Sequence, residues 1–308
     1  MAATVIDGGN ASSVFTGTLD GGNAFTVFPI DGPVLTPVVD AAPVPSVRVL
    51  LEQVDPATSV VNLYRIADGR TTLVRGGVRK YAVGGATVID WEAPFGIPIT
   101  YRAEMFSDVA GTQSLGFTDG STTTLDVHDT WLHQPLNPSL SVRALRLQGT
   151  AAERVRIAPG NLVYTQGDEA ATWVGGRRRG LSGLDWDLLV DSTVDADRMQ
   201  ELFGANGAPQ NAVLCVRTPP PMRVPRTLFL AVAELREIDV DIAFGGESTR
   251  FTFSGTEARP PAPGLVAATL RRMDVDVTYP TRAQRAAAYA TRLARDSDYT
   301  LAGAAGDA

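Results

Sequence analysis

The feature that most constrains this chain is the spacing of its apolar residues. They come in short runs that alternate with polar positions and are repeatedly cut off by glycine or proline. Successive side chains on a pleated strand point to opposite sides, so a period of two marks a strand with one buried face. The clearest case is Leu184-Asp185-Trp186-Asp187-Leu188, where the large apolar residues share one face and the aspartates the other. Val47, Val49 and Leu51 alternate in the same way, and Ile99 to Met105 continues the pattern. Few stretches carry the helical period. The chain is therefore expected to be mainly β.

Four regions follow from the punctuation. Residues 1–42 contain no basic residue and repeat Asp7-Gly8-Gly9-Asn10-Ala11 as Asp20-Gly21-Gly22-Asn23-Ala24. Such Asp-Gly and Gly-Asn pairs are turn chemistry, so this region is read as an N-terminal β arm that pairs with another sheet, followed by a linker from Pro37 to Pro45. Residues 43–127 carry short strands at regular spacing and have the size of one β-sandwich domain. Residues 128–260 form a second β-rich domain with one inserted helix. Asp195 is its expected N-cap, Met199, Leu202 and Phe203 its apolar stripe, and Gly204 its stop. Strands are expected here at Val142–Leu147, Arg154–Ile157, Leu228–Val232, Leu235–Ile242 and Thr249–Phe253. Residues 261–308, after the break Arg259-Pro260-Pro261-Ala262-Pro263-Gly264, are read as a docking segment: a strand over Val275–Tyr279, then an alanine-rich helix from Thr281 to Arg295.

The chemistry-bearing residues are few. The 308 residues include one cysteine and two histidines, and the formal net charge is -7. A deficit of Lys and Arg argues against generic nucleic-acid binding, and the dense basic cluster Arg177-Arg178-Arg179 is too short for a binding tract. Cys215 lies in the apolar run Ala212–Val216 and reads as a small buried hydrophobe. A nucleophilic role would require His128 or His133 beside it. These two histidines are five apart, which does not match the helical zinc pair. Asp185, Asp187, Asp191 and Asp195 lack the central glycine and closing glutamate of a calcium loop. No phosphate loop, dinucleotide fingerprint or nucleophile elbow is present. No catalytic, cofactor-binding or metal-binding residue is assigned, no cofactor is expected, and the reading is non-enzymatic. No stretch is long and apolar enough for a membrane helix, and no signal peptide is read.

Against this background, Asp90-Trp91-Glu92-Ala93-Pro94-Phe95-Gly96-Ile97-Pro98-Ile99-Thr100-Tyr101-Arg102-Ala103 resembles a stretch of the minor tail proteins of long-tailed bacteriophages that infect actinobacteria. In those proteins it belongs to a fibronectin type III-like unit. Trp131-Leu132-His133-Gln134-Pro135-Leu136-Asn137-Pro138 is similar to their junction after that unit. Gly175–Arg179, the strand at Leu184, the helix at Met199 and the segment around Tyr279 follow in the same order, so the resemblance spans roughly residues 46–303. The strand–helix–strand order of the second domain is similar to that of distal tail proteins. The resemblance implies a virion structural protein of the tail tip or baseplate, made in the host cytoplasm. Its implied partners are further copies of itself in a ring or hub, neighbouring tail proteins and the host surface, with no membrane insertion. A receptor- or carbohydrate-binding module is the alternative, with Trp131, Trp173, Trp186, Tyr64 and Tyr101 as candidate contact residues.

Overall fold

The computed structural model describes residues 30–40, 43–167, 169–204, 210–241, 243, 245–264, 272–296, 298 and 301. The repeated Asp-Gly-Gly-Asn arm lies outside the described residues. The protein is mainly β, as expected, and its strands form a sandwich followed by a closed barrel.

The sandwich uses β1 (Val34–Val38), β2 (Ser46–Leu51), β3 (Val60–Ala67), β4 (Arg70–Leu73), β5 (Lys80–Tyr81), β6 (Ala86–Asp90), β7 (Pro98–Phe106), β8 (Ser114–Phe117) and β9 (Ser121–Thr124). One sheet has the order β1-β2-β6. The other runs β4-β3-β7-β8, with β5 also pairing β3 and β9 also pairing β7. The alternation read from sequence sets the core: Val47, Val49 and Leu51 from one sheet meet Leu63, Ile99, Tyr101 and Ala103 from the other, all nearly or fully buried. The stretch expected to be a linker begins inside β1, where Pro37 pairs with Val47 and Val38 with Ser46. β1 is an edge strand, which is where a residue lacking an N–H donor is tolerated.

The barrel is built from β10 (Thr130–Gln134), β11 (Asn137–Arg146), β16 (Leu184–Val190), β17 (Val213–Arg217), β18 (Thr227–Asp239) and β19 (Thr249–Glu257). Its closed order is β10-β11-β16-β19-β18-β17. Between β11 and β16 the chain makes a two-stranded ribbon from β12 (Val155–Arg156), β13 (Gly160–Val163), β14 (Thr172–Gly175) and β15 (Leu181–Ser182). Leu184, Trp186 and Leu188 point into the barrel as the alternation required. Trp186 stacks on its cross-strand partner Phe253 at 6.2 Å between ring centroids. The two runs read as separate strands at Leu228 and Leu235 are one strand, bent by a bulge between Val232 and Leu235. Closing six strands demands such corners, and a bulge supplies one without breaking the ladder.

Helix α1 (Thr193–Leu202) plugs the barrel, burying Ala196, Met199 and Leu202 in its core. Its N-cap is Ser192, whose hydroxyl accepts from the Asp195 amide. Asp195 is therefore in the first turn and not at the cap. Gly204 ends the helix with φ of 90°, a conformation that costs glycine little.

Val275–Tyr279, expected to be a strand, is mostly helical: α2 spans Arg272–Thr278. Two residues apart on a strand share a face, yet Val275 is 6% exposed and Val277 59%. A helix turns two successive steps through about 200° and places them on opposite sides. The expected helix from Thr281 to Arg295 is two, α3 (Arg282–Ala288) and α4 (Arg292–Asp296). Thr281 caps α3 in a capping box with Gln284, and the Thr291 hydroxyl accepts from the Ala294 amide to start α4. These helices fold back on one another, with Tyr279 and Tyr289 in an edge-to-face contact and Arg285 paired to Asp276 at 2.8 Å.

Candidate functional sites: a buried junction and an exposed ribbon

The stretch that carries the resemblance forms the junction between sandwich and barrel. Asp90, 1% exposed at the end of β6, is its centre. Both of its carboxylate oxygens accept from Arg65 Nη1 at 2.8 Å, Oδ2 accepts from the Tyr101 hydroxyl at 2.8 Å, and Oδ1 accepts from the Glu92 amide at 2.9 Å. Glu92 accepts from Arg75 Nε at 2.7 Å. The rest of the Arg75 guanidinium reaches into the proline-rich segment after β19, donating to the carbonyls of Ala262 and Pro261. That segment therefore packs on the sandwich.

From the barrel side, Arg217 at the end of β17 enters the same region. Its Nη1 donates to the carbonyls of Pro45 (2.8 Å) and Ala93 (3.1 Å), and its guanidinium lies 4.4 Å from the Phe95 ring centroid. Thr227 donates to the Glu92 carbonyl, and Ser141 donates to the carbonyl of Pro43. Gly96 closes the contact: its φ is +66°, and a Cβ there would meet Pro220 Cδ at 2.7 Å. Only a residue without a side chain fits both demands.

This places β17 between two cores. Leu214 and Val216 face the barrel interior, while Cys215 and Arg217 face the sandwich, and all four are essentially fully buried. On the neighbouring β10, Leu132 faces inward and His133 outward, and half-buried Trp131 packs on the sandwich core. His133 and Cys215 are register partners, so the two residues that could have formed a nucleophilic pair do meet. Their environment works against that chemistry. Burial pushes the Cys215 thiol far up, with Glu92 adding to the effect. Burial pushes the His133 imidazole well below its usual range, and Arg217 and Arg75 push it further. A thiolate is disfavoured and both groups are sealed from solvent. Burial also lowers the Arg217 guanidinium to about 10, although Asp90 and Glu92 work in the opposite direction. Burial opposes the charge of Arg65 as well, but the adjacent Asp90 more than offsets it and raises the group above its ordinary value.

The other candidates disperse. His128 is on the surface, 3.6 Å from Asp126, and does not approach His133's buried position. Asp185 is exposed, Asp187 makes a two-pronged pair with Arg250 at 2.7 and 2.8 Å, and Asp195 serves the start of α1. Among the described residues no group of three or more His, Cys, Asp or Glu is arranged to hold a metal. A cleft of about 530 Å³ runs beside Trp131; of the aspartates lining it, Asp129 lies 3.5 Å from Arg143 and Asp195 lies 3.8 Å from Arg198, one turn along α1. Of the aromatic candidates, Trp186 and Tyr101 are buried, and Tyr64 donates to Glu104. Trp173 is exposed.

Trp173 belongs to the second site, which the sequence signalled through its arginines and through Trp173 as one of five candidate aromatics. The ribbon is one continuous antiparallel ladder. Val155 pairs with Ser182 and Arg156 with Leu181, the Arg179 amide donates to Ile157, the Gly176 amide donates to Pro159, and Gly160–Val163 pairs with Gly175–Thr172. Nine residues on one side span about 26 Å. Every residue of β13 and β14 is exposed. Leu162 and Trp173 share one face and Val163 and Val174 lie on the other, with Trp173 48% and Val174 58% exposed. The indole lies over the Gly160–Gly175 pair, where a Cβ on Gly160 would meet the ring at 2.6 Å. That cover leaves the ribbon's apolar side chains in water.

No protein-family model matches the chain, and no curated protein matches it in sequence.

Proposed function

We propose that this protein is a non-catalytic structural subunit of a bacteriophage tail tip or baseplate, assembling with copies of itself and with neighbouring tail proteins. The observation that carries the reading is the ribbon. A two-stranded sheet is marginal in water by itself, yet here it projects apolar residues from both faces beside a barrel that has no free edge. Such an element is unfinished until another protein covers it. The resemblance supports the choice of assembly, because its longest stretch, Asp90–Ala103, supplies the residues that fasten the two domains to each other. A fixed angle between domains is what a subunit in a repeating structure needs.

Immunogold electron microscopy of the particle with an antibody against this chain tests the assignment. Gold at the tail tip is the expected result; gold on the capsid, or none, overturns it. Zymography on actinobacterial cell walls tests the non-catalytic part, and a zone of clearing would overturn that. The alternative, a carbohydrate- or receptor-binding module, draws on Trp173 and on Tyr164, which is exposed directly after β13. It predicts that cell-wall glycans retain the isolated protein and that Trp173→Ser releases it.

A further inference from the structure

At the junction, Arg217 is held by only part of its guanidinium. Nη1 donates to the carbonyls of Pro45 and Ala93, and the Phe95 ring lies against the group. Nε and Nη2 have no hydrogen-bond partner, although the side chain is fully buried. These two nitrogens form the edge with which arginine grips an anion through two parallel N–H groups. His133 repeats the feature: it is fully buried, and neither ring nitrogen has a hydrogen-bond partner. Trp131 pairs with Arg217 and His133 with Cys215, so His133 and Arg217 lie diagonally on one outward face of β10 and β17. Backbones at such diagonal positions are about 7–8 Å apart. Two neighbouring strands thus bring unpartnered N–H donors into the same sealed layer.

The charges of that layer do not balance. Its buried cations are Arg65, Arg75 and Arg217, and its buried anions are Asp90 and Glu92. Asp90 is taken by Arg65 and Glu92 by Arg75, whereas Arg217 makes no ion pair among the described residues. An unpaired charge is costly to bury. A water molecule would satisfy the open hydrogen bonds but not the charge. From this we infer that the junction binds one small monovalent anion of the halide class on the Nε–Nη2 edge of Arg217, with His133 as a further donor. Complete burial of both side chains selects an ion of atomic size. Held there, the anion fastens the barrel strand that carries Arg217 to the sandwich. The inference is independent of the assembly reading, because the site lies within one chain.

Urea unfolding of the full-length chain tests this, with chloride exchanged for gluconate at constant ionic strength. Above half-saturation the unfolding equilibrium constant should fall about tenfold for each tenfold rise in chloride. Bromide should replace chloride. Arg217→Lys keeps the positive charge but lacks the planar fork, so the dependence should vanish in that variant. A second measurement needs no variant. The parent, refolded and crystallised in bromide, should show an anomalous peak within hydrogen-bond distance of Arg217 Nε and Nη2.

Equal stability of the parent in chloride and gluconate overturns the inference and leaves water as the partner of the fork. A chloride dependence that persists in Arg217→Lys places the ion at another site and overturns it as well. Should Arg217→Lys fail to fold, the bromide crystal decides: a peak at the Nε–Nη2 edge upholds the site, and its absence removes it.

Discussion

The barrel has two strand surfaces that invert the usual rule in opposite ways. The outer face of β10 and β17 buries an arginine, a histidine and a cysteine completely, while the ribbon from β12 to β15 exposes tryptophan, leucine and valine on both sides. At the junction, each charged group meets a partner supplied by the same chain: carboxylate for Arg65 and Arg75, carbonyls and an aromatic face for Arg217. On the ribbon the apolar groups stay in water, and no arginine meets a carboxylate among the described residues; Arg154 and Arg178 donate only to the carbonyls of Ala151 and Arg156. The junction is completed by folding and the ribbon is not. Buried polar groups without partners are costly; the junction pairs Asp90, Glu92, Arg65 and Arg75, and it leaves Arg217 Nε and Nη2 and both His133 ring nitrogens without a hydrogen bond. Exposed apolar groups are tolerated in a monomer, and their concentration on one projecting element is what marks a contact surface.

The contrast is broken most severely at Asp90. Replacing it by alanine leaves the Arg65 guanidinium buried without its carboxylate and the Tyr101 hydroxyl and Glu92 amide without their acceptor. Breaking one side of a buried pair costs about 3–5 kcal/mol, and guanidinium unfolding curves should show a loss of that order. A loss under about 1 kcal/mol would mean that water reaches the junction. Gly96→Ala is next. It forces a side chain into positive φ and against Pro220, and strain of this kind costs on the order of 1–3 kcal/mol. Because the clash lies between the domains, we expect a faster proteolytic cut between sandwich and barrel as well as lower stability.

His133 gives the junction a pH dependence with a definite sign. Its folded-state value is depressed by burial and by Arg217 and Arg75, so the unfolded chain takes up a proton more readily. The stabilisation it provides is complete above the unfolded value near 6.5 and is lost as pH falls from there toward the folded value. The slope is at most about 1.4 kcal/mol per pH unit. His133→Leu should flatten the decline in melting temperature between pH 7 and pH 5. Since neither ring nitrogen has a hydrogen-bond partner, the substitution should not destabilise the protein at pH 7 by more than about 1 kcal/mol.

Much of the sandwich and barrel was legible because it depends on a period of two. Val47, Val49, Leu51, Leu184, Trp186 and Leu188 all bury the face their alternation assigns. The same rule misled at Val275 and Val277, where two β-branched residues separated by an aspartate look alike on a strand and on one turn of helix. It also failed at β17 for a different reason. Cys215 and Arg217 occupy the alternate face of that strand, and an arginine there reads as solvent-facing. Nothing local says that a second domain covers it. The contact joins Arg217 to Pro45 and Ala93 across more than a hundred residues, and pairing at such separation leaves no periodic trace. The ribbon was half legible: Arg177–Arg179 stood out, but the exposure of Trp173 did not, because an aromatic flanked by β-formers is usually core.

The smallest effect on the folded monomer is expected from Trp173→Ser. Half of the indole is already in water, and what it covers is a pair of glycines on an element outside both cores. A surface change of this kind stays within about 0.5 kcal/mol, or about 1 where local packing is lost. Equilibrium unfolding under conditions where the chain is monomeric should therefore be nearly superimposable on the parent. Self-association should respond instead, since large aromatics at the centre of a contact carry a disproportionate share of its energy. Acrylamide quenching separates the two regions in one measurement: a component accessible in the monomer should vanish in Trp173→Ser and become protected on association, while Trp186, 1% exposed in the barrel, stays shielded throughout. If Trp173→Ser destabilised the monomer as much as Asp90→Ala, the ribbon would be part of the fold's own interior economy, and the division between a finished junction and an unfinished edge would not hold.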